Sequence, residues 1–216
     1  MDNKGLRSPL LMVTIMDKFP KYSVYYFSGT HWDREWYQTF QGFRLMLVRM
    51  LDGLLDHMES HPEFGVFHLD GQTIVLEDYM EVRPENRARL EALIRTGRLV
   101  IGPWYCMPDE FLVSGEALIR NLTLGMSLSR QWGSEPWKVG YLCDIFGHIA
   151  QMPQILRGMG ISCAVLGRGT NQHNTPPFFQ WVSPDGSRVL TYKLPDKSGY
   201  GTFSMDVVGQ RVREET

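Results

Sequence analysis

Two hydrophobic rhythms alternate along the chain. "YSVYYF" (22–27) is β-branched and aromatic and predicts a strand, as does "FGVFHL" (64–69). Between them, "FRLMLVRMLDGLLDHM" (43–58) repeats Leu and Met at helical spacing, with Arg44, Arg49, Asp52 and Asp56 on the other face. "TIVLEDYMEV" (73–82) predicts a helix, and Pro84 opens another, "PENRARLEALIRTG", which Gly97 closes. "RLVIGPW" (98–104) predicts a third strand, the segment after the capping Ser114 a long helix, and "WKVGYLC" (137–143) a fourth strand. "IAQMPQILRGMG" holds a helix of about two turns, and "SCAVLG" (162–167) predicts strand five. "FFQWVS" and "SRVLTYKL" flank "PDG", the pattern of a β-hairpin insertion.

Strands alternating with helices, and apolar on both faces, predict an α/β fold with a parallel sheet covered by helices. The pattern fits an incomplete parallel β/α barrel of about five strands plus the hairpin, since a closed barrel takes about 250 residues. An open doubly wound sheet fits the spacing equally. A barrel segment would leave an uncovered sheet edge through which copies could associate. Residues 1–20 read as an N-terminal appendage and 21–216 as one domain; past Gly199 the pattern weakens, with "VVGQRVREET" the start of a helix.

Composition narrows the class. A hydrophobic content of 43% with 21% charged residues is that of a soluble globular protein. A net charge of −2 without a basic block argues against nucleic acid. "PLLMVTIM" follows Lys4 and Arg7, but it is short, Asp17 and Lys18 follow at once, and no small-residue cleavage site is visible. No stretch approaches the roughly 20 apolar residues of a membrane helix. Cys106, Cys143 and Cys163 lack paired spacing and read as buried thiols in a reducing, cytoplasmic compartment.

The chemistry gathers at predicted strand ends: His31 and Asp33, then Asp70, then Asp109 and Glu110, then Asp144, then Arg168. In α/β sheets and barrels those ends carry the active site. Residues i and i+2 of an extended segment point the same way, so His31 and Asp33 suit a divalent ion, with Asp144 the best third ligand. The plainer alternative makes His31 a helix cap, Asp33 a solvated acid and Asp144 an N-cap. Trp32, Trp36, Tyr37, Trp104, Tyr105 and Phe146 flank these ends as a wall for sugar rings, or, for Trp104 and Tyr105, as core. No glycine-rich phosphate loop follows a strand, and Ser28 and Ser114 lack a nucleophile elbow. Asn121-Leu-Thr is a chance sequon within a helix.

"HWDREWY" (31–37) and "DIFGH" (144–148) resemble the two N-terminal signatures of the glycoside hydrolase family 38 α-mannosidases, particularly their bacterial branch. "LDGQTIVLEDY" and "GPWYCMPDEFLVSGEALIRNL" are similar to that branch as well, in order and separation, over roughly residues 22–195. The resemblance implies a zinc-dependent retaining α-mannosidase. By motif, His31, Asp33 and Asp144 are zinc ligands, Asp144 is also the nucleophile, and Trp36, Phe146 and Arg168 bind substrate. Zn²⁺ would hold the sugar's 2- and 3-hydroxyls, and the substrate would be an α-mannoside or a mannosylglycerate-type sugar. The family's acid/base and fourth zinc ligand, a histidine, lie further along than this sequence reaches, so the chain is expected to be a truncated catalytic domain, inactive alone. The alternatives are a metal-dependent carbohydrate deacetylase and a non-catalytic carbohydrate-binding remnant.

Overall fold

The computed structural model describes residues 11–14, 23–26 and 28–196, and the side chains of 28–196. Most of the expected 1–20 appendage and the helix expected after Gly199 lie outside the described residues. In the appendage, β1 (Leu11–Thr14) pairs antiparallel with β2 (Ser23–Tyr26), which lies just beyond it. The chain falls into two compact units. One runs to Leu69 and includes Val75–Val100; the other comprises Asp70–Ile74 and the chain from Ile101 onward.

The first unit holds a three-stranded parallel sheet, β3 (Ser28–Thr30), β4 (Phe67–Leu69) and β5 (Leu99–Val100), in that order. Between β3 and β4 runs α1 (Phe40–Ser60). Thr39 caps it by accepting from the Gly42 N–H, and its buried stripe is Phe43, Leu47, Leu51, Leu55 and Met58. The four-residue spacing read from sequence is thus the buried face. After α2 (Ile74–Met80), Pro84 begins a 3₁₀ turn that passes into α3 (Arg87–Arg95). Gly97 follows with φ 72°, the left-handed conformation that ends helices.

The second unit carries α4 (Gly115–Gln131), capped by Ser114, whose Oγ accepts from the Ala117 N–H. It also carries β6 (Val139–Leu142), α5 (Met152–Gly158), β7 (Cys163–Leu166), β8 (Phe178–Val182) and β9 (Arg188–Lys193). The sheet order is β6-β7-β9-β8. The fold is α/β with parallel sheets and helices. Trp104, Leu118, Leu122, Leu142, Met152, Leu156, Leu166 and Val189 belong to one buried core, and the Trp104 Nε1–H donates to the Tyr141 carbonyl.

Two expectations need correction. The hairpin is no insertion beside the sheet: β8 and β9 pair antiparallel, but β9 pairs parallel with β7, placing Ala164 opposite Thr191. The reason is visible in β9, whose Val189, Thr191 and Lys193 are buried while Arg188 and Leu190 face out. Six strands therefore pair in parallel among the described residues, in two sheets rather than one. The thiols differ too: Cys143 is buried, but Cys106 and Cys163 are only half-buried. Burial pushes the Cys143 thiol well above its ordinary pKa.

Candidate metal and carbohydrate site

β3 ends at Thr30, and the chain leaves it without regular structure until α1 begins. His31 and Asp33 sit at that exit, with His31 Nε2 3.6 Å from Asp33 Oδ1. His31 does not cap the helix; Thr39 does. Arg34 leads away to α2, where its Nε and Nη2 donate to the two oxygens of Asp78 at 2.7 and 2.8 Å. Trp36 is 76% exposed, and its ring meets Tyr37 edge-on at 5.2 Å.

Beneath this exit lies His68. In the parallel register Gly29 is opposite His68, and a Cβ at position 29 would fall 1.9 Å from the imidazole. Only glycine leaves room for that ring. Burial pushes the His68 pKa down to about 4, so the ring is neutral at pH 7.

In the second unit, β6 ends at Leu142, with Cys143 and Asp144 beyond it. Asp144 is not the cap of α5, a position held by Gln151. Its carboxylate pairs with Arg168 Nε just past β7. The Arg168 guanidinium also lies over the Phe146 ring, 5.4 Å from its centroid, and Phe146 is 71% exposed. Gly167 permits this approach of strand ends, since a Cβ there would fall 2.1 Å from the Cys143 carbonyl oxygen.

The other strand-end residues have different tasks. Asp70 adopts the left-handed backbone, φ 52°, and is fully buried; its Oδ2 accepts from Gln72 Nε2 at 2.9 Å. Gln72 Oε1 in turn accepts from the Met107 N–H at 3.0 Å. Asp109 and Glu110 lie well past the end of β5 rather than at it. Glu110 is buried, and both its oxygens are engaged, one by the Ile149 N–H at 2.7 Å and one by His148 Nδ1 at 2.8 Å. The opposite ring nitrogen, Nε2, faces the Arg168 carbonyl at 2.9 Å and must donate to it. Nδ1 and Glu110 then share one proton. Trp104 is core, and Asn121 uses its carboxamide on the backbone of Tyr105 and Cys106.

Sequence reasoning missed the partner of Glu110, 38 residues away, and that of Arg34, 44 residues away. It also missed Lys193, buried at the end of β9, whose Nζ bonds Asp196 Oδ1 at 2.8 Å. Asp196 Oδ2 accepts from the Gln172 N–H and so ties down the loop after Arg168. Only the repeated placement of ionisable groups after strands hinted at these.

In the first unit His31 and Asp33 offer a pair of candidate metal-ligating atoms, and in the second Asp144 offers a carboxylate of the same kind. Asp70 and Glu110 are not among these groups. One imidazole nitrogen with carboxylate oxygens suits zinc and other borderline-to-hard divalent ions. Tetrahedral bonds of about 2.0–2.2 Å put donor atoms about 3.3–3.6 Å apart, which the 3.6 Å between His31 and Asp33 meets.

Residues 21–213 match the description "Glycosyl hydrolases family 38 N-terminal domain". Over 182 residues the chain is 44% identical to a "Putative mannosylglycerate hydrolase" of Halalkalibacterium halodurans, covering 79% of this chain and 20% of that protein. It is 28% identical over 178 residues to an alpha-mannosidase of Saccharomyces cerevisiae, covering 80% of this chain and 16% of that one. The crystal structure of an alpha-mannosidase from Enterococcus faecalis V583 is similar at a TM-score of 0.74 and 37% identity, over 77% of this chain and 19% of that chain. The chain spans about a fifth of the length of these relatives, or less. With the family description matched across nearly all of its length, the chain belongs to glycosyl hydrolase family 38, in its N-terminal domain.

Proposed function

We propose that the whole protein is a zinc-dependent retaining α-mannosidase acting on α-mannosides or mannosylglycerate-type sugars. In this reading the present chain supplies the ion's ligands and the nucleophile, and its two parallel sheets are segments of a β/α barrel. The observation that carries it is the pairing of His31 with Asp33 at the exit of β3, and of Asp144 with Arg168 past β6 and β7, in a chain of this family. The relatives named for mannosylglycerate and α-mannosides support the substrate class.

His31, Asp33 and Asp144 would hold the ion, which supplies a fixed positive charge for the sugar's hydroxyls. Arg168 orients the Asp144 carboxylate through its Nε. Asp144 attacks the anomeric carbon; the bond from that carbon to the leaving oxygen breaks, and a general acid from elsewhere in the protein gives the oxygen its proton. Water then releases mannose with the configuration it began with. Trp36 and Phe146, both exposed rings, present flat faces to the sugar.

The test is metal analysis of the purified chain beside His31→Ala and Asp144→Asn. Wild type should retain one zinc per chain and the variants far less; equal retention in all three overturns the metal site. For the reaction, proton NMR of the first product formed by the whole protein should show the α anomer. The β anomer first, or no cleavage of either substrate, overturns the retaining mannosidase.

A further inference from the structure

The loop between β3 and α1 carries His31, Asp33 and Trp36, yet residues 31–39 have no strand or helix to hold them. Arg34, next to Asp33, makes the one two-pronged contact found among the described residues of this loop. Asp78, its partner, is buried on α2. That helix is gripped a second time, by Arg44 of α1, whose Nε donates to the Asp78 carbonyl at 3.0 Å. Arg44 also pairs with Glu81 just past the helix end. Phe40, the first residue of α1, lies against both guanidinium groups, with centroid distances of 4.9 Å to Arg34 and 5.7 Å to Arg44.

A two-pronged arginine–carboxylate contact fixes direction as well as distance, because both groups are planar. Anchoring the side chain of residue 34 in this way restricts the backbone on either side of it. The neighbour before it is Asp33, and Trp36 follows two positions later. Ligands held by such outer partners bind metal about 10–100-fold more tightly than ligands left loose.

We infer that Arg34 and Asp78 are positioning residues for the candidate centre: their contact holds the 31–39 loop in the form that presents His31 and Asp33 to a divalent ion and Trp36 to a sugar. The inference deepens the reading given above and rests on it for the identity of the ion. Neither residue touches the metal or the sugar. The contact is a lock on geometry, and its charge matters less than its two-pronged shape. Lysine at position 34 keeps the charge but not the fork.

The experiment uses the 216-residue chain and zinc alone. Zinc affinity is measured by titration calorimetry for wild type, Arg34→Leu, Arg34→Lys and Asp78→Asn, with folding of each checked by circular dichroism. Amide hydrogen exchange over 31–39 is followed in the same metal-free proteins. Arg34→Leu should weaken zinc about 10–100-fold, Arg34→Lys nearly as much, and Asp78→Asn less, because Asn keeps one acceptor. Exchange over 31–39 should speed up at least about tenfold in Arg34→Leu, while α3 stays at the wild-type rate. A merely structural role would accelerate exchange through α2 and α3 as well. Affinities within twofold of wild type in folded variants overturn the inference, as does unchanged exchange over 31–39. If wild type itself binds no zinc, the metal reading falls, and the exchange result alone still decides whether the pair holds the loop.

Discussion

The two loops that carry the candidate ligands are secured in different ways. The 31–39 loop is held by Arg34, itself more than a third exposed, reaching the buried carboxylate of Asp78. The 144–149 segment is held from below by Glu110, whose side chain is wholly buried and whose two oxygens meet His148 and the Ile149 N–H. Water competes for the arginine of the Arg34–Asp78 pair, which weakens it, but does not reach the acid. A buried carboxylate with both oxygens committed is costly to disturb, since its partners have no water to turn to. The contrast teaches that the segment bearing the proposed nucleophile is tied into the core, whereas the segment bearing two candidate ligands hangs on a side chain that reaches solvent.

Removing the buried anchor should have the largest effect. Glu110→Ala leaves His148 and the Ile149 N–H facing a void and should cost about 4 kcal/mol in urea unfolding. Glu110→Gln should cost about 1 kcal/mol, because its amide can donate to Nδ1 while its oxygen still accepts from Ile149. If alanine and glutamine cost the same, the anchor is a matter of charge and not of hydrogen bonding.

Acid should probe the first unit next. His68 is neutral in the folded state, with a pKa pushed down to about 4 by burial, against 6.5 when exposed. The unfolded chain therefore takes up the proton first, and stability falls as pH drops from about 6.5 towards 4. Between pH 7 and pH 4 the loss should be about 3 kcal/mol from this group. Stability measured across that range in His68→Leu should have a shallower slope; an identical slope would remove His68 from the account.

A smaller effect is expected where strand ends touch. Gly167→Ala would drive a methyl into the Cys143 carbonyl and should cost about 2 kcal/mol, while displacing Arg168 from Asp144. Stability and zinc affinity should therefore fall together in that variant. The smallest effect belongs to Gly53 in α1, where a Cβ meets nothing within 4 Å. Alanine there should raise stability by about 0.5–1 kcal/mol, and zinc affinity should not move. A change in affinity at this control would mean that the assay reads global stability, not the loop.

Much of this could be read along the chain. The caps at Ser114 and the end at Gly97 were legible because they depend on a few adjacent residues. The same holds for the α1 stripe, where Leu47, Leu51 and Leu55 repeat every four positions. His31 and Asp33 were legible as a pair because extended backbone aims alternate side chains the same way. Asp144 stood out as an acid directly after an apolar strand. The role of Glu110 was not legible: beside Asp109 it looked like a strand-end acid, and only its partners show it to be an anchor. Nor did the "PDG" turn reveal that β9 continues the parallel sheet, since a hairpin reads the same whether or not its second strand has another neighbour.

Order along the polymer was thus enough for most strands and helices, for the helix start at Ser114 and the end at Gly97, and for naming candidate ligand types, all governed by interactions within a few residues. It could not say which distant groups meet: Arg34 with Asp78, Glu110 with His148, Asp144 with Arg168, or His68 beneath Gly29. Those pairings arise when burial brings remote segments together and each enclosed polar group must find a partner, a requirement that acts on space rather than on sequence distance.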